Sequence, residues 1–411
     1  MSQAEKEVGI EGYLTSTRGI NGKIKVYPED FVVDEAPIPL PEGDSHTILE
    51  IRSINWETHA LAEKLAKLLV TGKGIMFAGT KDRRAVSTQH FSIPAYLEKR
   101  EAEEFLKTLP RVELLNIYHS GKGLRLGNLA GNRFAITIRD HHHDEENFKS
   151  TLDHISSFGG FPNFFGLQRF GSVRLITHIV GKYLIQKDFE RAVYAYLGNG
   201  GEKEREEVKE ARERVREGKL KEALDIFPKG FSYERRMIEK LLRGRDYVSC
   251  LRSIPLYMRK LFVHAYQSFL FNRMLSERLK SKTLKELREG DYILPFENET
   301  FGKRPIRMVQ LNEMASEEVK RCGAYITGLV PGYNSDLRGE LESRILEEEE
   351  VTPQDFIIPE MPECSSKGTI RTLLTPVKEL DYEFNAETAL LRFFLFKGCY
   401  ATSLLREIMK N

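Results

Sequence analysis

Short runs of alternating hydrophobic and polar residues mark the first third of the chain. Thr47–Arg52 alternates and predicts a strand, as does Arg133–Arg139, with Phe134, Ile136 and Ile138 on one face. Lys23–Val26 and Phe31–Glu35 read as two short strands around the turn Pro28-Glu29-Asp30. Asn55 is placed to cap a helix over Trp56–Val70, with Leu61, Leu65 and Leu68 on one face and Gly72 ending it. Ile75–Ala78 predicts a brief buried strand that opens into the loop Gly79–Ala85. Ser87–Ile93 leaves that loop as a further strand.

The period changes in the middle of the chain. From about residue 147 to 280 the spacing is mostly helical. Glu202–Leu224 is dense in Glu, Lys and Arg, with Val208, Ala211 and Val215 as a thin apolar stripe, and predicts a solvated surface helix. Leu261–Leu279 predicts a second helix, richer in aromatics. Strand-like patterning returns at Ile370–Leu374 and Leu391–Leu395. An α-rich block between β-rich flanks points to an insertion into a discontinuous domain.

At 411 residues the chain exceeds what one hydrophobic core organises, so two or more domains are expected. Its apolar and charged fractions, 41% and 30%, are those of a soluble globular protein. No apolar run approaches a membrane span, and the first residues carry neither a basic nor an apolar export signal, so a cytoplasmic protein is expected. Cys250, Cys322, Cys364 and Cys399 lack disulfide or zinc spacing and read as buried or half-buried thiols. A net charge of +1 excludes a uniformly cationic surface but leaves room for a local basic patch.

The densest candidate chemistry is Phe77–Gln89. It places one carboxylate, Asp82, in a loop between two strands, flanked by Lys81, Arg83 and Arg84. Neighbouring cations favour the ionised carboxylate, which can act as a nucleophile or base. The same cations could hold phosphates. A surface loop with locally paired charges is the plainer reading of the same residues. Gly74–Lys81 imitates a P-loop, but its Thr and Lys stand in the wrong order, so no nucleotide cofactor is implied.

A second stretch, Lys122–Phe134, interleaves Lys122 and Arg125 with glycines that let a backbone approach phosphate. Phe134 opens a strand and could stack on a base or sit in the core. A third, Phe161–Gly171, gathers four aromatics and Arg169, as a stacking platform or as the packed hinge between domains. Asp140-His141-His142-His143-Asp144 looks like a metal tract but predicts an exposed turn, and no metal site is expected.

Five segments, in order, resemble the TruD family of tRNA pseudouridine synthases. They are Ile24–Val33, Gly79–Gln89, Leu124–Phe134, Pro162–Gly171 and Lys397–Glu407. The resemblance implies an α+β fold. A pseudouridine synthase catalytic domain with a mixed, mostly antiparallel sheet (1–157 and 367–411) would be interrupted by an α/β insertion, the TRUD domain (158–366). It implies isomerisation of uridine to pseudouridine in tRNA, typically at position 13, with no cofactor, and a monomer is favoured. The family's aspartate falls on Asp82, its lysine on Lys25, its asparagine on Asn132 and its aromatic on Phe134. Lys81, Arg83, Arg84, Lys122, Arg125 and Arg169 are then expected to contact the tRNA. Two other classes fit parts of the pattern. One is a catalytically silent RNA-binding protein or RNA chaperone. The other is a glycoside or nucleoside hydrolase, which normally needs two carboxylates where the central motif supplies one.

Overall fold

The structure is a computed structural model that describes residues 1–67, 74–171, 173–337 and 339–411. The chain forms two units. One is split in sequence and consists of Thr15–Phe161 and Thr375–Asn411; the other consists of Met1–Leu14 and Pro162–Leu374. The sequence-drawn boundaries at 157/158 and 366/367 lie several residues earlier, and residues 1–14 fall in the second unit. The reason for the latter is hydrogen bonding: Asn272 Nδ2 donates to the Val8 carbonyl (3.1 Å), Ser276 Oγ to the Gly9 carbonyl (2.7 Å), and the Glu11 amide to Ser276 Oγ (2.8 Å).

The split unit is built on one mixed sheet. Its strands are β1 (Phe31–Pro37), β2 (His46–Ile54), β3 (Met76–Phe77), β4 (Val86–Ile93), β5 (Val112–Ser120), β6 (Leu129–Arg139), β7 (Lys378–Phe384) and β8 (Thr388–Phe396). Their order is β7-β8-β6-β1-β4-β2-β5, with β3 paired to β4. β1 and β4 run parallel, with Val32 opposite Val86 and Asp34 opposite Thr88; the other pairs are antiparallel. Four helices matter to the packing: α1 (Thr58–Ala66), α2 (Lys99–Leu106), α3 (Glu145–Phe158) and α4 (Ala401–Met409). Leu61 and Leu65 of α1 and Ala102 and Leu106 of α2 bury against Leu49, Ile51, Phe91 and Ile93. Phe148 and Ile155 of α3 and Leu404 and Ile408 of α4 bury against Ile136, Ile138, Leu391 and Phe393.

Gly131 lies on β6 opposite Phe396 of β8. A Cβ there would lie 2.1 Å from the Leu395 carbonyl oxygen, so the close approach of these strands requires glycine.

The second unit is largely helical, with a large apolar cluster among its helices. Val180, Leu184, Val193, Leu197, Met237, Phe262 and Leu270 are all buried in it. Its long helix is Leu256–Lys280, and its sheet is formed from Tyr292–Glu297, Thr300–Phe301, Ile306–Arg307, Ala324–Val330 and Thr369–Thr372. No helix of the described residues is long and apolar enough to cross a membrane.

Several local expectations are corrected. Lys23–Val26 is not a strand: Lys23 makes one bridge to Arg139, and Lys25 takes a left-handed conformation (φ 58°). Asn55 also has positive φ, and Glu57 caps α1 by accepting from the Ala60 amide (2.9 Å). The rest of that predicted helix, Leu68 to Gly72, lies outside the described residues. The strand expected over Ile75–Ala78 pairs at Met76 and Phe77, and Met76 is exposed. The single helix expected over Glu202–Leu224 is two, Glu206–Arg216 and Leu220–Ile226, parted at Gly218 (φ 75°). It is not merely solvated, because Arg212 is 1% exposed and bonds the Glu204 carboxylate (2.9 Å) and the Leu197 carbonyl (2.8 Å).

Candidate active site

Two loops meet at the start of β1. The first is Lys25–Asp30. Asp30 accepts from the Tyr27 amide (2.8 Å) and pairs with Arg139 of β6 (2.8 Å), which pins the turn to the sheet. The left-handed backbone at Lys25 turns its side chain back over β1, where Nζ lies 4.1 Å from the centroid of the Phe31 ring. That ammonium contacts the carboxylate of Asp82. Arg84 NH2 donates to the Val26 carbonyl (2.5 Å) and ties the same two loops a second time.

The second loop is 78–85, between β3 and β4. It has little regular pairing of its own and is held by its surroundings. The Gly127 amide donates to the Ala78 carbonyl (2.7 Å), Gln89 Nε2 to the Gly79 carbonyl, the Lys81 amide to Thr58 Oγ1 (2.9 Å), and the Asn55 amide to the Ala85 carbonyl (3.1 Å). Asp82 is exposed on this frame.

Lys81 departs from expectation. It was expected to face phosphate, but its side chain is 4% exposed and its ammonium lies 2.7 Å from Glu35 Oε2. Glu35 Oε1 also accepts from the His90 amide (3.3 Å) and lies 3.2 Å from His90 Nδ1. A buried ammonium is retained only beside an opposite charge, and Glu35, on the adjacent strand β1, supplies it. Arg83 is exposed beside Asp82, and Lys122 and Arg125 are exposed in the loop before β6. The Gly127 amide bond brings that loop against residue 78.

Asn132 stands opposite Glu35 on β1 and Leu395 on β8, and its Oδ1 is buried with no hydrogen-bond partner among the described residues. Phe134, two residues on, is half-buried. Its ring lies 6.1 Å from Phe31, edge-on, and 5.3 Å from Phe393, stacked. Phe134 thus packs at the margin of the split unit's core, partly accessible. Asp82, Lys25, Phe31 and Phe134 form one continuous line of contacts.

Arg169 belongs to the second unit, where Nε bonds Ser268 Oγ (3.3 Å) and the guanidinium lies 5.8 Å from the Phe165 ring. Of the two readings of this segment, an open stacking platform does not fit: Phe161, Phe164 and Phe170 are buried, and Phe165 alone of the four is partly accessible. The histidine tract is corrected in part. His141 is 5% exposed and packs 4.6 Å from Phe384, while Asp144 caps α3 through the Asn147 amide (3.1 Å). No group of three metal-ligating side chains occurs among the described residues.

Residues outside the sequence-based list complete the site. Glu35, Thr58, Gln89 and His90 hold the Asp82 loop from beneath, and Lys397 Nζ donates to the Gly127 carbonyl (3.0 Å). Gln89 and Lys397 lie in recognisable segments; for Glu35 and Thr58 the sequence offers no signal short of the fold.

Burial, the largest influence on Glu35, opposes its charge. The His90 hydrogen bond and the Lys81 ammonium together outweigh it and hold the Glu35 carboxyl below the ordinary carboxylate range. A carboxyl depressed in the folded state stabilises fully above its unfolded value, about 4.3, and that contribution is lost as pH falls through the folded value. Glu35→Gln strands the Lys81 ammonium. It is expected to lower unfolding free energy at pH 7 by about 3–5 kcal/mol and to flatten the acid fall in stability. Urea unfolding of both proteins from neutral pH to below about pH 4 measures this; wild-type stability and an unchanged acid limb in the variant would contradict it.

The family model described as tRNA pseudouridine synthase D (TruD) matches residues 7–408. A Methanosarcina acetivorans protein assigned as a tRNA pseudouridine synthase D is 38% identical, over 99% of this chain and 97% of its own. An Archaeoglobus fulgidus protein with the same assignment is also 38% identical, over 99% of both chains. A crystal structure of a Methanosarcina mazei protein assigned to TruD superposes with a TM-score of 0.81 at 37% identity, covering 100% of this chain and 98% of the other. Matched from end to end in sequence and in fold, with the loop that carries Asp82 inside the match, the chain belongs to the tRNA pseudouridine synthase D (TruD) family.

Proposed function

We propose that the protein isomerises uridine to pseudouridine in tRNA, with Asp82 as nucleophile and Lys25 as its charge partner. Position 13 is the target that the family resemblance implies, and a cytoplasmic enzyme working beside its substrate fits the same reading. The observation that carries it is the exposed Asp82 carboxylate set against the Lys25 ammonium, on a loop anchored on both sides.

The reaction breaks the C1′–N1 bond, turns the uracil and forms a C1′–C5 bond. N1 gains a proton and C5 releases one, so atoms and electrons balance within the substrate and solvent. Asp82 acts as the nucleophile, and the Lys25 ammonium in contact with it orients the carboxylate. The target uridine must leave its stack, at a cost of a few kcal/mol. Stacking on an aromatic offsets about 1–3 kcal/mol of this, and the half-buried Phe134 ring is the candidate. The exposed cations Arg83, Lys122 and Arg125 supply phosphate contacts that fix position and carry no sequence information. Asn132, at the position of the family's asparagine, carries a buried Oδ1 with no hydrogen-bond partner among the described residues, and its place beside Phe134 on β6 fits a role in the site.

Asp82→Asn keeps the shape of the side chain and removes the nucleophile. Pseudouridine formation by the purified variant is expected to fall below detection, with tRNA affinity little changed. Measurable turnover by that protein would overturn the assignment, and lost affinity would make Asp82 a binding residue. Phe134→Leu keeps apolar bulk and loses the π face. It is expected to cost about 1–3 kcal/mol in kcat/KM, roughly five- to 150-fold, with a smaller fall in melting temperature from the Phe31 and Phe393 contacts. A destabilised variant with full kcat/KM would leave Phe134 a core residue alone.

A further inference from the structure

A nucleophile on a loop is only as accurate as whatever holds the loop. Residues 78–85 carry Asp82, yet the groups that restrain it come from elsewhere in the split unit. Two of them converge on Lys81, the residue next to Asp82, at opposite ends. Thr58 Oγ1 accepts from the Lys81 amide at 2.9 Å, and Glu35 Oε2 holds the Lys81 ammonium at 2.7 Å. Thr58 is 2% exposed and Glu35 5%. Neither group is free to follow solvent.

Both restraints are themselves restrained. The Thr58 hydroxyl donates to Gln89 Oε1 (3.2 Å), and Gln89 Nε2 donates to the Gly79 carbonyl. This closes a ring: Thr58 to Gln89, Gln89 to residue 79, the chain from 79 to 81, and Lys81 back to Thr58. Glu35 is held by the His90 amide and ring. Glu35 stands on β1, Gln89 and His90 on β4, and Thr58 at the start of α1, so three elements of the unit fix one residue.

The Lys81 side chain is 4% exposed, whereas that of Asp82, the next residue, is 43% exposed, so the two neighbours face opposite ways out of the loop. Fixing Lys81 at both its amide and its ammonium prevents it from sliding or rotating, and Asp82 inherits that fixity.

We propose that Thr58 and Glu35 are positioning residues for the reaction: acting through Lys81, they present the Asp82 carboxylate to Lys25 and to the substrate. This rests on the reading of Asp82 as the nucleophile. It assigns Lys81 to the frame of the site and away from the RNA backbone.

Glu35→Gln confounds geometry with stability, so Thr58 is the better probe. Thr58→Val keeps the branched shape and removes the hydroxyl, while Thr58→Ser keeps the hydroxyl. A misplacement near 1 Å costs up to about a hundredfold. With full-length protein and a tRNA transcript, Thr58→Val is expected to lower kcat by roughly ten- to a hundredfold, with KM unchanged and the protein folded at the assay temperature. Thr58→Ser should restore most of that kcat. Gln89→Met breaks the same ring at another point. It should reproduce the kcat loss, and it serves in place of Thr58→Val if that variant does not fold.

Wild-type kcat in folded Thr58→Val or Gln89→Met would overturn the proposal. So would a loss confined to KM, or one not rescued by serine. The Asp82→Asn variant separates the two levels. If it is inactive while Thr58→Val is normal, the positioning role alone falls. If it retains turnover, the nucleophile assignment falls first.

Discussion

The Glu35–Lys81 pair is the constraint on which the site depends. Two opposite charges lie together in an interior that would exclude either alone, at several kcal/mol per unpaired ion. Such a pair adds little net stability over apolar residues of similar size, but breaking it costs about 3–5 kcal/mol. Its effect is therefore on geometry. Lys81 has one place to go, and the loop that carries it adopts one path. The neighbouring Lys25–Asp82 pair is more open, with the Asp82 side chain 43% and the Lys25 side chain 19% exposed. Exposed pairs contribute about 0–1 kcal/mol to stability. The Lys25–Asp82 contact can open at little cost to the fold, while the pair beneath holds Lys81 in the loop.

The sheet adapts to both roles. β4 is buried along its whole length, and the residues at its start turn the loop toward the end of β1 where Lys25 crosses Phe31. β6 sets Phe134 opposite Val33 and Asn132 opposite Glu35 on β1, and its passage against β8 is close enough to require Gly131. Gly127 joins the loop before β6 to residue 78 through its amide, and to Lys397 through its carbonyl. Segments far apart in sequence thus share hydrogen bonds around a single exposed carboxylate.

The parts legible in sequence are those governed by local rules. Thr47–Arg52, Ser87–Ile93 and Arg133–Arg139 lie within strands because their apolar positions face a packed core. The edge strands were harder to see. Val112–Ser120 is partly accessible along most of its length, and Lys378–Phe384 carries four charged residues among seven, so neither has a strong apolar signature. Lys25 escaped assignment to a turn because a left-handed lysine leaves no trace in composition. The loop that carries Asp82 was legible as candidate chemistry, but its cations looked alike. Lys81, Arg83 and Arg84 differ only in what they meet in three dimensions: a buried glutamate 46 residues away in sequence, solvent, and a backbone carbonyl. The surface-helix reading of Glu202–Leu224 failed in the same manner, since Arg212 is drawn inside by Glu204 and two carbonyls that its helical period does not reveal.

The hydrogen on C5 of the target uridine reports directly on isomerisation. Forming the C1′–C5 bond expels that hydrogen while the base stays on the RNA. Purified protein incubated with an unmodified tRNA transcript carrying tritium at C5 of its uridines should release tritium into water, in proportion to pseudouridine formed and without free uracil. Folded, tRNA-binding protein that releases no tritium, or that liberates free uracil, would contradict the account.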